Sequence, residues 1–196
     1  MENLDEVELV HRSQGGDLEA FNCLVERYHT RIYNFAFSLA RNHDDAMDVA
    51  QEAFIRAWSN MRSFRGDSSF ITWLTRITRN LFLDIQKKRK HDPRISLDEL
   101  MDNSDPSSPG RDVQDPSPGP EELALTNERV QAVRQEVLNL ATEHREILTL
   151  YDLQGFSYEE ISQILKLPMG TVKSRLNRAR RALRDRLTPM RQLLDV

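Results

Sequence analysis

The chain has 196 residues, of which 39% are hydrophobic and 30% charged, and its formal net charge of −4 points to no particular partner. Its single cysteine, Cys23, excludes an intrachain disulfide framework and lies in an apolar run, which predicts a buried thiol. No stretch approaches the length of a membrane span and the acidic N-terminus does not resemble a signal peptide, so we expect a cytoplasmic protein without membrane insertion.

The first part of the chain has the periodicity of helices. Asp17 is a suitable N-cap for a helix from Leu18 to Ala40, because apolar residues there recur three and four positions apart. A second helix is predicted from about Asp44 to Asn60, with small and apolar residues along one side. The opposite, polar side of this helix has two interpretations, a surface that faces solvent and a surface that docks on a partner. That polar side consists of Asp45, Asp48, Gln51, Glu52 and Arg56.

A polar loop, Ser63 to Ser69, leads into a third predicted helix. The side of this helix that we expect to be exposed carries Thr72, Arg76, Arg79 and Asn80, and the segment ends in the basic run Gln86 to Lys90. A basic surface beside aromatic residues and a small-residue loop suits unstacked single-stranded bases, which need a pocket or a stacking plane as well as phosphate neutralisation. Trp73 flanks the apolar stripe and is interpreted as a core residue. The stripe itself consists of Phe70, Leu74, Ile77 and Leu81.

Segment 92–122 differs in composition from both of its neighbours. Six of the eight prolines lie between Pro93 and Pro120, among Ser, Asp and Gly residues. Such a composition buries too little apolar surface to offset the entropy of ordering, so a flexible linker between two helical domains is predicted. The short apolar patch from Ile95 to Leu100 has two interpretations, docking on a partner and packing on its own domain.

The charges are distributed in alternating blocks. Net charges are −6 for residues 1–61, +6 for 62–91, −7 for 92–122, −3 for 123–170 and +6 for 171–196. A simple repressor with one basic patch would not require two basic blocks. The pattern therefore predicts contact with nucleic acid at two places.

Residues 157–187 are predicted to form two helices joined by a short turn. Ser157 and Glu160 are the reciprocal capping pair that begins a helix, which then extends roughly to Leu165. A turn containing Gly170 follows, and two short amphipathic helices around such a turn indicate a helix-turn-helix motif. The apolar stripe of the second helix consists of Val172, Leu176, Ala179 and Leu183.

The second helix of this motif is strongly basic, with seven Lys and Arg residues against one Asp. In helix-turn-helix proteins the first residues of the second helix reach base edges, whereas later basic residues suit phosphates. A solvated basic helix end is the alternative, since the helix dipole favours cations near a C-terminus. The residues near the start of the basic face, which we expect to read bases, are Lys173, Ser174, Asn177 and Arg178.

Two blocks of the sequence resemble the extracytoplasmic-function class of bacterial sigma factors: DDAMDVAQEAFIRAWSNMRSFRGDSSFITWLTRITRNLFLDIQKKRK and LQGFSYEEISQILKLPMGTVKSRLNRARRALRDRL. The resemblance covers nearly the whole chain. It implies an all-α fold of two small helical domains, with sigma region two in residues 1–91 and sigma region four in residues 123–196. The flexible acidic segment 92–122 would join them along the polymerase's RNA exit path.

The resemblance also implies three binding surfaces. The second helix of region two would dock on the coiled coil of the polymerase beta-prime subunit through Asp45, Asp48, Gln51, Glu52, Phe54 and Arg56. The loop and the helix after it would read the minus-10 promoter element through Phe64, Arg65, Gly66, Asp67, Ser68, Ser69, Thr72, Arg76 and Asn80. Region four would sit on the flap of the beta subunit and contact the minus-35 element through Lys173, Ser174, Arg175, Asn177, Arg178 and Arg181.

The function implied is that of an alternative sigma factor, which binds core RNA polymerase and directs promoter-specific transcription in a stress or envelope response. An anti-sigma factor is a further implied partner. Because the sequence has no metal-ligand cluster, nucleophile motif or phosphate loop, we expect no metal, no cofactor and no enzyme activity. The alternatives are a stand-alone helix-turn-helix regulator with an N-terminal dimerisation or sensing domain, and a helical adaptor. Neither accounts for the second basic block.

Overall fold

The computed structural model describes residues 5–91 and 130–190, and every regular element in these residues is a helix. The prediction of an all-α fold in two helical units is confirmed for these residues. The predicted linker 92–122, its apolar patch 95–100 and the C-terminal residues 191–196 lie outside the described residues.

The first helical unit contains four α-helices: α1 Glu6–Gln14, α2 Leu18–Ala40, α3 His43–Ser59 and α4 Phe70–His91. A 3-10 turn, Met61–Ser63, precedes the loop before α4. The long helix α2 is central and packs against the other three. Its predicted bounds are confirmed, because the Asp17 side chain accepts a hydrogen bond from the backbone N–H of Ala20 at 3.1 Å. Helix α1 was not predicted.

The core of this unit forms where the apolar stripes of α2, α3 and α4 meet. Leu24, Ile32 and Phe35 of α2 are fully buried, as are Phe70 and Leu74 of α4. Helix α3 contributes mainly alanines, which lets it approach α2 closely. The predicted burial of Cys23 is wrong, because its position on α2 leaves the thiol only half-buried against the edge of the core.

The described part of the second unit contains α5, helical in the described residues 130–138, then α6 Thr142–Leu148 and a π-helical turn, Thr149–Leu153. Helices α7 Tyr158–Leu165 and α8 Met169–Leu187 form the helix-turn-helix, and a 3-10 turn, Thr188–Met190, follows. The predicted capping pair is confirmed at the start of α7. The two units are in contact, since α4 packs against α7 and α2 against α6.

Candidate nucleic-acid and polymerase interfaces

The start of α7 is fixed by a reciprocal pair of hydrogen bonds. The Glu160 backbone N–H donates to Ser157 Oγ at 3.2 Å, and the Ser157 N–H donates to Glu160 Oε2 at 2.9 Å. Behind this cap, Ile161 and Ile164 are fully buried beside the apolar stripe of α8. The second helix of the motif is therefore held at a defined angle by packing and by the cap together.

The outer face of α8 is exposed and cationic. Pro168 precedes its first turn without a side-chain cap, so the N–H groups of that turn add partial positive charge near the residues expected to read bases. Val172, Leu176 and Ala179 occupy the buried face as predicted, whereas Leu183 is only half-buried. The predicted minus-35 residues that are exposed on the outer face are Lys173, Ser174, Asn177, Arg178 and Arg181.

Arg175 lies on a different side of α8 from these residues. Its guanidinium points toward α6, where it is 3.4 Å from the Glu143 carboxylate, and its side chain is 20% exposed. One turn later, Arg178 is exposed and donates weakly to the backbone carbonyl of Ser174 at 3.4 Å. The structure thus brings five of the six predicted minus-35 residues to one surface and places Arg175 beside it.

Two stacked tyrosines support one edge of α8. The rings of Tyr151 and Tyr158 lie 5.0 Å apart between centroids and are almost parallel. Arg180 lies over the Tyr151 ring and pairs with Asp152 at 2.5 Å, while the Lys173 ammonium is 5.6 Å from the Tyr158 centroid. These cation–π contacts restrict the two cations to positions beside the exposed face. This cluster was not predicted from the sequence, although the aromatic residues on α7 and in the π-helical turn were an available signal.

The loop before α4 presents a short polar surface. Arg65, Gly66, Asp67 and Ser69 are exposed, and Ser68 is half-exposed. Gly66 has a φ of 75°, in the left-handed region that favours glycine. Asn80 is exposed on α4 and Arg76 is half-buried. Most of the predicted minus-10 residues are therefore accessible along the loop and one side of α4.

Phe64 was also predicted to contact the minus-10 element, but its ring belongs to the core. It is 7% exposed, and its centroid lies 4.9 Å from the Trp73 ring and 6.1 Å from the Phe70 ring. Its backbone carbonyl accepts a hydrogen bond from the Gln14 side chain at 2.7 Å, which ties the loop to α1. Phe64 thus anchors the loop, and its ring is not available for stacking on a base. The same contacts agree with the interpretation of Trp73 as a core residue.

The prediction that Thr72 and Arg79 are exposed is wrong. Thr72 is 2% exposed because α7 covers it, and the Thr72 hydroxyl donates to Glu160 Oε1 at 3.0 Å. Arg79 is 17% exposed because its Nε donates to Glu146 Oε1 at 2.5 Å. Both side chains lie where α4 meets the second unit, and periodicity within α4 alone could not indicate that contact.

The outer face of α3 combines charged and apolar residues. Asp48, Gln51 and Arg56 are exposed, Glu52 pairs with Arg56 at 2.7 Å, and Phe54 is half-buried. The same face exposes Met47 and Ile55, each 52% exposed. These two residues were not predicted to belong to the site, although apolar residues outside the buried stripe were a usable signal.

Asp45, at the start of α3, is already engaged within the first unit. Its carboxylate accepts hydrogen bonds from Arg89 at 2.8 and 2.5 Å. These hydrogen bonds from Arg89 lower the pKa of Asp45 below its usual value. Asp45 therefore links α3 to the basic end of α4.

Two kinds of site are not found within residues 5–91 and 130–190. These residues contain no group of three or more His, Cys, Asp or Glu side chains placed to hold a metal ion. No helix in the same residues is long and apolar enough to cross a membrane.

The two units correspond to two known sequence families. Residues 24–92 match the family described as Sigma-70 region 2, and residues 131–183 match Sigma-70, region 4. Over 192 residues the chain is 38% identical to a protein of Haemophilus influenzae named ECF RNA polymerase sigma-E factor, with 96% of this chain and 98% of the relative covered. The Escherichia coli K12 protein of the same name is 38% identical over 193 residues, covering 96% of this chain and 97% of the relative.

Solved structures with the same fold include two protein complexes. CnrH in complex with the cytosolic domain of CnrY matches with a TM-score of 0.63 and 26% identity, covering 93% of this chain and 96% of that one. The sigma factor RpoE in complex with the anti-sigma factor NepR from Bartonella quintana matches with a TM-score of 0.62 and 27% identity, covering 90% of this chain and 97% of that one.

Proposed function

Because this chain belongs to the extracytoplasmic-function class of RNA polymerase sigma factors, alternative factors that direct promoter-specific initiation, we propose that three of its surfaces divide that task. Residues 1–91 bind core polymerase and the minus-10 element, and residues 123–196 bind the minus-35 element. The segment 92–122 joins them. The single observation that carries this assignment is the exposed cationic face of α8, mounted on the capped and buried helix α7.

The minus-35 surface is the outer face of α8. Lys173, Ser174 and Asn177 lie within the first nine residues of α8, the part of a recognition helix that reaches base edges in a major groove. Arg178 lies next to Asn177 on the same face and also reaches base edges, whereas Arg181 lies further along the helix toward the phosphates. Binding here combines base contacts with neutralisation of the DNA backbone, so its affinity falls as salt rises.

The minus-10 surface is the loop 65–69 with Arg76 and Asn80. Its exposed backbone and short polar side chains suit hydrogen bonding to the edge of an unstacked base, and the surrounding basic block neutralises phosphate. Holding a base outside the duplex lowers the free energy of the melted promoter relative to the paired one. The surface therefore favours opening without any covalent chemistry.

The polymerase surface is the outer face of α3, centred on Met47, Gln51 and Ile55. Apolar side chains exposed among polar ones are typical of a protein–protein contact, and Asp48 and Arg56 form the charged rim. Region four adds a second polymerase contact at the beta flap. Once polymerase holds both units, binding to the second promoter element becomes intramolecular and its effective concentration rises.

Regulation and location follow from the same assignment. Core polymerase and promoter DNA place the working protein in the cytoplasm. An anti-sigma factor is a further partner by analogy with the complex of RpoE with the anti-sigma factor NepR. That the target genes serve a stress or envelope response stays a prediction. The family acts in transcription initiation, and the lack of any catalytic activity of this chain stays a prediction.

Transcription in vitro tests this function directly. Purified full-length protein is incubated with bacterial core polymerase, and promoters are located from transcripts that appear after overexpression. The expected result is co-purification with core and initiation at aligned start sites that share two upstream elements. Absence of both co-purification and initiation would contradict the proposal, whereas DNA binding without core dependence would favour the stand-alone regulator.

A further inference from the structure

Helix α1 contacts the segment that carries the proposed minus-10 surface. It packs against α2 and against the 3-10 turn that precedes the loop 65–69, which we call the base-reading loop. Leu9, near the middle of α1, is fully buried, and its carbonyl accepts a hydrogen bond from the buried Ser13 hydroxyl at 2.6 Å. The helix is therefore fixed to the body of the first unit, although most of its residues are not buried.

Gln14, at the end of α1, holds the start of the base-reading loop. Its side-chain amide donates to the backbone carbonyl of Phe64 at 2.7 Å. The Phe64 N–H in turn donates to the Met61 carbonyl at 3.1 Å, so both backbone polar groups of Phe64 have partners. Together with its buried ring, these bonds fix the residue from which the loop begins.

Glu6, in the first turn of α1, holds the other end of the loop. Its Oε1 accepts a hydrogen bond from the backbone N–H of Phe70, the first residue of α4, at 3.4 Å. The first N–H groups of a helix have no partner within the helix, and a carboxylate there also interacts favourably with the helix dipole. Glu6 Oε2 accepts from the Tyr28 hydroxyl. Burial and that hydrogen bond raise the pKa of Tyr28 to about 12, so the hydroxyl remains a donor at neutral pH.

The two contacts come from one rigid element. Glu6 and Gln14 are eight residues apart, which corresponds to about 12 Å along the helix axis and about 80° around it. One side of α1 therefore reaches both Phe64 and Phe70, the residues on either side of the loop. Between them Gly66 has a φ of 75° and is exposed. The loop thus follows a turn whose two ends are fixed while its middle faces solvent.

Fixed ends matter for a surface that must distinguish one base from another. Exposed loops are among the most mobile parts of a protein, and ordering them on binding costs free energy. Hydrogen bonds to a base edge also weaken steeply when donor and acceptor are misaligned. A loop whose ends move would therefore lose selectivity between bases as well as affinity.

We propose that Glu6 and Gln14 are positioning residues for the minus-10 surface: α1 holds both ends of the base-reading loop in the geometry that distinguishes the captured base. Neither side chain contacts DNA in this role. The inference rests on the proposed minus-10 assignment. Loss of either hydrogen bond is expected to weaken base capture about two- to tenfold, the range that one hydrogen bond contributes.

Five variants of the full-length protein separate positioning from folding. Glu6→Ala and Gln14→Ala each remove one contact. Glu6→Gln retains an acceptor for the Phe70 N–H and should restore wild-type behaviour, whereas Gln14→Glu keeps the shape but replaces the donor and should behave like Gln14→Ala. Glu8→Ala is the matched control, since Glu8 is exposed on α1 and has the same charge as Glu6. Urea unfolding confirms that each variant is folded.

Hydrogen exchange in the free protein tests whether α1 holds the loop. Mass spectrometry compares backbone amides of residues 64–70 with those of α2. Glu6→Ala and Gln14→Ala are expected to speed exchange in residues 64–70 about two- to tenfold and to leave α2 unchanged, while Glu6→Gln and Glu8→Ala resemble wild type. Wild-type exchange in residues 64–70 of both alanine variants would overturn the proposal. An equal rise in α2 would also overturn it, because the contacts would then stabilise only the fold.

Base selectivity of the holoenzyme tests the consequence for promoter reading. The probe is the fluorescein-labelled non-template strand of a promoter mapped with this factor, with the original or a substituted base in the minus-10 element, followed by anisotropy. The ratio of the two Kd values is expected to fall about two- to tenfold for Glu6→Ala, Gln14→Ala and Gln14→Glu, and to be unchanged for Glu6→Gln and Glu8→Ala.

The outcomes of the selectivity measurement distinguish this proposal from the assignment beneath it. If wild-type holoenzyme discriminates between the strands and the alanine variants keep the same ratio, the positioning role is overturned and the minus-10 assignment stands. If wild-type holoenzyme itself does not discriminate, the minus-10 assignment falls and this proposal with it.

Discussion

Asp45 accepts two hydrogen bonds from the guanidinium of Arg89, at 2.8 and 2.5 Å, and so joins the start of α3 to the basic end of α4. The pair lies beside the proposed polymerase surface, where both partners are about one-third exposed. The pair therefore has a structural role in the first unit, and the contact of Asp45 with polymerase stays a prediction.

Asp45→Ala is expected to lower the free energy of unfolding by roughly 0.5–1 kcal/mol at pH 7, a value reduced by solvent screening. Arg89 lowers the pKa of Asp45 in the folded state, so this stabilisation is present above the ordinary carboxyl pKa and disappears as the pH falls through the lowered one. Urea unfolding of wild type and variant at neutral and acidic pH measures the difference. If the difference in unfolding free energy between wild type and Asp45→Ala grew on acidification, the stabilising role of the Asp45–Arg89 pair would be contradicted.

Two isoleucines are expected to separate stability from polymerase binding. Ile161 is fully buried in α7, so Ile161→Ala should destabilise the protein by about 2–5 kcal/mol. Ile55 is 52% exposed on α3, so Ile55→Ala should change stability by less than about 0.5 kcal/mol and weaken binding to core polymerase. Urea unfolding and a core pull-down measure the two effects. If Ile55→Ala bound core polymerase as well as wild type does, Ile55 would not belong to the polymerase surface.

Arg178 and Asn80 are expected to act at different steps of initiation. Arg178→Ala should weaken selectivity for the minus-35 element by about 1–3 kcal/mol. Asn80→Ala should impair open-complex formation and leave duplex binding by the second unit intact. Duplex binding and permanganate footprinting of the melted region distinguish these effects. Identical defects in both assays would contradict the division of labour.

Arg175 and Arg178 provide a comparison within one helix. Both changes to alanine remove one positive charge, but Arg175 points toward Glu143 and Arg178 is exposed on the outer face. Arg175→Ala is therefore expected to reduce minus-35 binding less than Arg178→Ala does. Arg186→Ala, which removes an arginine that faces Glu136, controls for net charge. If Arg175→Ala lost more minus-35 binding than Arg178→Ala did, Arg175 itself would contact the DNA.

Elements with strong local signals were predictable from sequence. The bounds of α2 follow from the Asp17 cap and an uninterrupted apolar period, and the start of α7 follows from Ser157 and Glu160. Helix α1 was missed because only Leu9 and Ser13 of its nine residues are buried, which leaves almost no periodic pattern. A helix of this kind is stabilised mainly by its contact with α2.

The errors in the predicted site arise from contacts between residues far apart in sequence. Phe64 was predicted to face a base, but its ring packs against Phe70 and Trp73 once the loop folds back. Thr72 was predicted to be exposed, and a carboxylate from 88 residues further along the chain covers it. Helical periodicity describes one element at a time, so it cannot reveal which surface another unit will cover.

The two carboxylate oxygens of Glu160 serve different partners, since Oε2 caps its own helix and Oε1 contacts the hydroxyls of Ser69 and Thr72. In evolutionary terms this residue is pleiotropic, because loss of its side chain would alter both the helix-turn-helix and the union of the two units. Glutamine is the one replacement that retains a capping box. In a lineage selected for weaker contact between the two units, we therefore expect substitutions at Arg31, Glu146 or Gln154. At each of these positions one contact can be lost while the start of α7 is preserved.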